Sequence, residues 1–249
     1  ESGILKREEP IVQELANEYL TEQGITILND VTLNSVSNDG NKPVITADGQ
    51  NYTFDAVLYA TGRRPNTTNI GLENTDITTN ERGAIVVNDT CESSVPGVYA
   101  VGDVNGGPQF TYISLDDFRI VFGALTGNGH YTLKDRKNIP YTTFLTPPLA
   151  RVGLTEEDAI NKGYTVKTKE MLVATMPRAH VNDNLKGAFK IVVDAESNLI
   201  LGATLYSQSA EELINMIKVA MDNNIPYTYF KNQIFTHPTM AENLNDLCN

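Results

Sequence analysis

Val98-Tyr99-Ala100-Val101-Gly102-Asp103 is the stretch on which the reading of this sequence turns. An apolar run closing on Gly-Asp places a carboxylate at the carboxyl end of a buried strand, the edge of an open α/β sheet where ligands bind. The glycine lets a ligand approach the backbone, and the carboxylate can accept hydrogen bonds from sugar-like hydroxyls. Alone, these six residues describe any strand followed by an Asp turn. Their surroundings say more. Upstream, Ala56-Val57-Leu58-Tyr59-Ala60 is a continuous apolar run of the kind that forms a strand buried on both faces. It ends in Thr61-Gly62-Arg63-Arg64-Pro65-Asn66, where Gly and Pro break the strand. Downstream, GGPQFTYISLDDFRI (residues 106–120) leads into a helix predicted from about Ser114 to Leu125.

Outward from this centre, the pattern divides the chain. Residues 10–23 place Ile11, Leu15, Tyr19 and Leu20 near one helical face, and Gly24 stops the helix. Short β-like runs follow at Ile25–Leu28, Val31–Val36, Pro43–Thr46 and Tyr52–Phe54, with Asp39-Gly40 and Asp48-Gly49 as turns. The composition changes at Tyr141. Tyr141–Leu145 is β-like, Thr155-Glu156-Glu157-Asp158 predicts a capped helix start, and Phe189–Val193 and Leu199–Tyr206 predict two strands. Ser209–Asp222 is a strongly amphipathic helix, and a last helix is expected near Thr239. The fold class predicted is α/β, in partial nucleotide-binding domains, followed by an α+β layer of antiparallel sheet and helices. The boundary is expected in the polar segment Tyr131–Asn138.

Composition narrows the classes of function. The chain has 249 residues and a net charge of −12, and its 19 Lys and Arg are scattered rather than gathered in a basic patch. A nucleic-acid partner is therefore not expected. No run approaches the roughly 20 apolar residues that cross a bilayer, so no membrane partner is expected either, and the acidic surface suits the cytoplasm. The two cysteines, Cys91 and Cys248, form no CxxC or CxxxxC pair and sit in no metal-ligand cluster, so they read as ordinary free thiols and no metal site is expected.

A second motif is His237-Pro238-Thr239-Met240-Ala241-Glu242. Histidine is the side chain best suited to moving protons near neutral pH. Thr239 to Glu242 is also a capping-box pattern, so Glu242 has a plain structural role open to it beside that of orienting His237. Phe110 has a similar alternative, as ordinary core packing.

Together the ATGRRPN, VYAVGD and HPTMAE motifs, in this order and spacing, resemble the class I pyridine nucleotide-disulfide oxidoreductases, among them glutathione reductase, dihydrolipoamide dehydrogenase and mercuric reductase. GDVNGGPQFTYISLDDFRIV (Gly102–Val121), TPPLARVGLTEE (Thr146–Glu157) and FTHPTMAENLNDL (Phe235–Leu247) are most similar to the reactive-chlorine-resistance and hypothiocyanous acid reductase branch. The resemblance implies an FAD- and NAD(P)H-dependent reductase that passes electrons through a redox cysteine pair to a small oxidant, a disulfide or a metal ion such as copper(II). It implies that Gly102 and Asp103 face the flavin's ribityl chain, and that Gln109, Phe110 and Thr111 lie at a helix N-terminus aimed at the flavin ring. Gly62 and Arg63 would sit where the chain leaves the NAD(P)-binding domain. His237 would be the acid/base serving the partner subunit's active site in a homodimer, and Glu242 its orienting carboxylate. Residues 1–63 would belong to the NAD(P)-binding domain, 64–138 to the FAD-binding domain and 139–249 to the dimerisation domain. The family's first FAD fingerprint, its CxxxxC pair and its second Gly-rich motif have no counterpart in this sequence, which predicts a C-terminal fragment that is inactive by itself. Glu1 is the candidate for the acid that binds the ribose of NAD(P). A reading from another class stays open, a non-enzymatic dimerisation module with vestigial flavin residues.

Overall fold

The computed structural model of the protein describes residues 3–249. Glu1, the expected ribose-binding acid, lies outside the described residues. The chain forms two compact units, one made of residues up to Ala56 together with Asn138–Asn249, the other of Val57–Lys137.

In the first unit, helix α1 (Pro10–Glu22) starts on a proline, whose fixed φ suits a first turn. Three antiparallel strands follow, β1 (Leu33–Asn38), β2 (Pro43–Ala47) and β3 (Gln50–Thr53), in the order β1-β2-β3. The expected run Ile25–Leu28 forms no strand. The second half of this unit is a five-stranded antiparallel sheet of order β4-β5-β8-β7-β6: β4 (Tyr141–Thr143), β5 (Leu149–Gly153), β6 (Val166–Leu172), β7 (Ala188–Asp194) and β8 (Ile200–Tyr206). Helices α3 (Glu156–Asn161), α4 (Pro177–Val181), α5 (Ala210–Asp222), α6 (Thr228–Asn232) and α7 (Asn243–Leu247) complete it. Thr155 caps α3 with the reciprocal capping box its sequence predicts.

The sheet is covered on two sides. Leu213, Ile214 and Ile217 of α5 and Leu244 and Leu247 of α7 pack with Val152, Phe189, Ile191 and Leu205 in the main core. A smaller cluster joins Val12, Ala16 and Tyr19 of α1 to Leu149 and Tyr206. Between α1 and the sheet lies a charged knot. Lys190, on β7, reaches Glu9 at 3.0 Å, Glu156 at 2.7 Å and Glu170 at 2.9 Å. Arg151 meets Glu8 at 3.2 Å and donates from Nε to the Tyr141 hydroxyl at 2.6 Å, and Tyr141 also bonds Glu8.

The second unit carries α2 (Thr111–Thr126) and, before it, a short turn of 3-10 helix at Gly102–Asn105. Here the sequence expectations need correction. The apolar run 56–60 is not a buried strand, for Leu58 is 90% exposed. A strand buried on both faces requires ladder partners at each edge, and among the described residues this run has none. Gly97–Val101 makes a single bridge, Glu92 to Tyr99, with Val98 and Val101 exposed and Ala100 buried. Helix α2 begins at Thr111 rather than Ser114: Phe110 is its extended N-cap (φ −133°, ψ 145°), and the Phe110 carbonyl already accepts the Ser114 N–H at 3.2 Å. The last helix starts at Asn243, not Thr239. Among the described residues no helix is long and apolar enough to cross a membrane.

Candidate active site

His237 and Glu242 are brought together by a tight chain reversal between α6 and α7. The Nδ1 atom of His237 lies 2.8 Å from Oε2 of Glu242. The other carboxylate oxygen, Oε1, accepts the Thr239 backbone N–H at 3.0 Å, and the Thr239 hydroxyl accepts the Glu242 N–H at 3.2 Å. One oxygen thus meets the imidazole and the other the backbone; the reciprocal Thr239–Glu242 bonds follow the capping-box pattern but close a turn, since α7 begins only at Asn243 and carries no side-chain cap. Burial opposes ionisation of Glu242, but hydrogen bonds from His237 and the Thr239 amide outweigh it and hold its carboxyl below the usual range. A carboxylate beside Nδ1 favours the tautomer with the proton there, which leaves Nε2 free to take or give a proton. The imidazole is open to a reaction partner, with its side chain 70% exposed. The reversal is anchored from α7, where the Asn245 side chain donates to the carbonyls of Phe230 at 2.6 Å and Gln233 at 2.9 Å.

The second candidate cluster lies in the other unit. Gly102 stands at φ +74°, and a Cβ added there would come within 2.6 Å of the Ser114 hydroxyl, so the turn closes on α2 only with glycine in place. Asp103 follows with an exposed carboxylate, 3.7 Å from Arg63. Both partners are solvated, so this contact contributes little to stability. Gln109 and Phe110 lead into α2 and Thr111 is its first residue; the rings of Phe110 and Tyr112 stack at 5.1 Å. A helix N-terminus carries partial positive charge and unsatisfied amides, a setting that favours an anion. Gly62, at φ +122°, precedes Arg63 just after the apolar run 56–60.

A residue that sequence reasoning passed over organises this turn. Asp117 of α2 is fully buried, and its Oδ2 accepts the Gly102 N–H at 2.8 Å and the Asn105 side-chain amide at 2.9 Å. The signal was present, because Ile113, Asp117 and Ile120 form the buried stripe of α2 and an acid on an apolar stripe needs a partner. That partner, Arg136, lies beyond the helix and no local pattern joins the two.

Neither cysteine suits thiolate chemistry. Cys91 and Cys248 are free and buried, and burial pushes their thiols up to about 11 and about 12. A redox nucleophile needs the opposite, a lowered thiol in an accessible place. Among the described residues no cluster of His, Cys, Asp and Glu could hold a metal ion.

Comparison with known proteins bears on this arrangement. The family profile described as "Pyridine nucleotide-disulphide oxidoreductase" matches residues 1–117, and that described as "Pyridine nucleotide-disulphide oxidoreductase, dimerisation domain" matches residues 139–248. The chain is 42% identical over 246 residues to a probable pyridine nucleotide-disulfide oxidoreductase, RclA, of Escherichia coli, covering 99% of this chain and 56% of that protein. It is 34% identical over 245 residues to a mercuric reductase of Staphylococcus aureus, covering 97% of this chain and 45% of that protein. The solved structure titled "HOCl-induced flavoprotein disulfide reductase RclA from Escherichia coli" superposes with a TM-score of 0.95 at 41% identity, over 100% of this chain and 57% of that one. The chain thus spans about half the length of the relatives it matches. The fold is the expected one, α/β nucleotide-binding portions followed by an antiparallel dimerisation domain, and the family binds FAD and NAD(P)H. With two of the family's domains accounting for nearly all of its length, the chain belongs to the pyridine nucleotide-disulphide oxidoreductases.

Proposed function

We propose that this chain is the C-terminal portion of an FAD-dependent NAD(P)H:disulfide-type reductase, to which it supplies one side of the flavin site and the acid/base histidine. The observation that carries the proposal is the His237–Glu242 pair, an exposed imidazole whose Nδ1 is held at 2.8 Å by a carboxylate that is itself tied to the backbone.

The residues of the Gly102 turn fit a flavin. Asp103 offers an exposed carboxylate to ribityl hydroxyls, and the N-terminus of α2 favours negative charge at the pyrimidine edge of the ring. FAD, when bound, supplies the chemistry of accepting a hydride from NAD(P)H and passing electrons on to a disulfide. In our reading the redox cysteines lie outside this chain, as Cys91 and Cys248 are buried with raised thiols. The chain by itself is then catalytically silent. His237 acts in the second half of the cycle, where one thiol must lose its proton to attack and the leaving sulfur must gain one. Nε2 moves that proton, and Glu242 keeps the tautomer that leaves Nε2 available.

We assign residues 1–63 to the NAD(P)-binding portion, 64–138 to the FAD-binding portion and 139–249 to a dimerisation domain that pairs two copies of the enzyme. Support for pairing comes from apolar side chains left open there: Ile234, three residues before His237, is 91% exposed, and Phe144, Val181 and Val219 are also exposed. Stable homodimers commonly bury more than about 2,000 Å², and sedimentation should show a dimer at micromolar concentration. A small oxidant is the proposed substrate, in line with the HOCl-induced relative, and free buried thiols suit the reducing cytoplasm.

The test is His237→Ala in the full-length enzyme, with the two half-reactions followed separately by stopped flow. Reduction of the flavin by NAD(P)H should stay nearly unchanged, and the dithiol-to-substrate step should slow by about 10²–10⁴-fold. Equal slowing of both would refute the role given to His237.

A further inference from the structure

Asp117 is a charge in a place that suits an aliphatic side chain. It shares the inward stripe of α2 with Ile113 and Ile120 and has no solvent exposure. Burying a carboxylate is costly unless it is paired and fully hydrogen-bonded. Here it is both. Oδ2 takes the Gly102 N–H and the Asn105 side-chain amide, while Oδ1 takes an N–H from Nη2 of Arg136. Arg136 is itself only 10% exposed and donates from Nε to Asp116 at 2.8 Å. A leucine at 117 would fill the stripe without any of these compensations, so packing alone does not account for the acid.

What the carboxylate holds is informative. Its partners flank Asp103 on both sides, Gly102 before it and Asn105 after it. Asn105 carries the tie further, donating to the Ala100 carbonyl at 3.3 Å and accepting the Gly107 N–H at 3.0 Å. The backbone from 100 to 107 is thereby pinned to one turn of α2, and Asp103 is left facing outward with its carboxylate exposed.

We propose that Asp117, charge-balanced by Arg136, is a positioning residue that locks the Gly102–Asn105 turn onto α2 and so fixes the Asp103 carboxylate for the flavin's ribityl hydroxyls. The inference rests on the reading of Asp103 given above. It assigns Asp117 and Arg136 no contact with the flavin.

The test is a double-mutant cycle on FAD affinity in the full-length enzyme stripped of its flavin and titrated with FAD by fluorescence. Asp117→Asn is the informative change. An amide has one acceptor oxygen, so its NH2 must face either the Gly102 and Asn105 donors or the Arg136 guanidinium. D117N should raise the FAD dissociation constant roughly tenfold to a hundredfold. D103N should raise it too, and D117N should add little on the D103N background, because its effect passes through Asp103. Losses that multiply in the double variant, or a D117N protein that melts lower but binds FAD as tightly as wild type, would overturn the inference. If D103N itself leaves FAD affinity unchanged, the reading of Asp103 fails, and the inference with it. Should D117N not fold, Arg136→Lys replaces it: lysine keeps the charge but not the fork that spans Asp116 and Asp117. The expected severalfold loss of FAD affinity should likewise vanish on the D103N background, and its persistence there would overturn the inference.

Discussion

Lys190→Met should be among the most destabilising single changes in the sheet of the first unit. The lysine side chain is 5% exposed and its partner Glu9 2% exposed, so the substitution leaves a carboxylate in the interior without its counter-charge. Breaking a buried pair in this way costs about 3–5 kcal/mol. The structure argues for the lower part of that range. Glu9 keeps one partner, the Glu156 backbone N–H at 2.8 Å, and Glu156 and Glu170 are solvated enough to lose little when the lysine goes. A loss of about 3–4 kcal/mol follows, measured by urea denaturation with circular dichroism at pH 7. The double variant Glu9→Gln/Lys190→Met provides the discrimination. The glutamine can still accept the Glu156 N–H but carries no charge, so the double variant should recover about half of the loss or more. A double variant no more stable than Lys190→Met alone would show that the penalty is lost packing of the lysine stem, and the electrostatic argument would fail. The pH dependence has a definite sign as well. Burial alone would lower the Lys190 ammonium, but its hydrogen bonds to Glu156, Glu170 and Glu9 outweigh this and raise it above the free value of 10.5. Its contribution is therefore complete below about pH 10 and is lost only as pH rises above that.

Glu242→Gln should slow the dithiol half-reaction by less than His237→Ala does, roughly 10–10²-fold, since the amide can present N–H to Nδ1 and so favour the wrong tautomer. If only stability falls, by about 1 kcal/mol, Glu242 serves only to close the Thr239–Glu242 turn. Both thiols should resist a disulfide reagent at pH 8 in the folded chain and react fully in urea; labelling of either one in the native state would contradict its burial. Their ionisation is unfavourable in the fold, so the stability they support is whole below about pH 9 and falls as pH climbs towards about 11 for Cys91 and about 12 for Cys248. An alkaline unfolding curve should therefore steepen in that window, and a Cys248→Ser variant should flatten its upper part.

The parts of this architecture that were legible in the sequence are those decided by neighbours along the chain. The α3 cap needs only Thr155 and Asp158, three residues apart, and the His237–Glu242 pair needs one turn of chain. The amphipathic stripe of α5 and the runs of β7 and β8 are likewise local. The failures share a cause too. Residues 56–60 have the composition of a central strand, yet a strand exists only where a ladder forms, and composition does not supply one. Lys190 sits within a run of otherwise apolar residues, and its carboxylate partners come from the residue before α1, from α3 and from β6. Nothing near any of them in sequence announces the meeting.

The same contrast explains why Glu242 could be read two ways and Asp117 was not read at all. A carboxylate has two oxygens, and a short motif can occupy both: in HPTMAE one serves the backbone and the other the imidazole. The two contacts support each other, since an oxygen fixed to Thr239 restricts where its twin can point and so lowers the entropy lost in meeting His237. Asp117 follows the same logic across a longer loop, with one oxygen on the turn and the other on the arginine that balances its charge. In both places a carboxylate anchored on one side sets the geometry of a group on the other, and in both the group it sets faces outward, where a ligand or a partner can reach it.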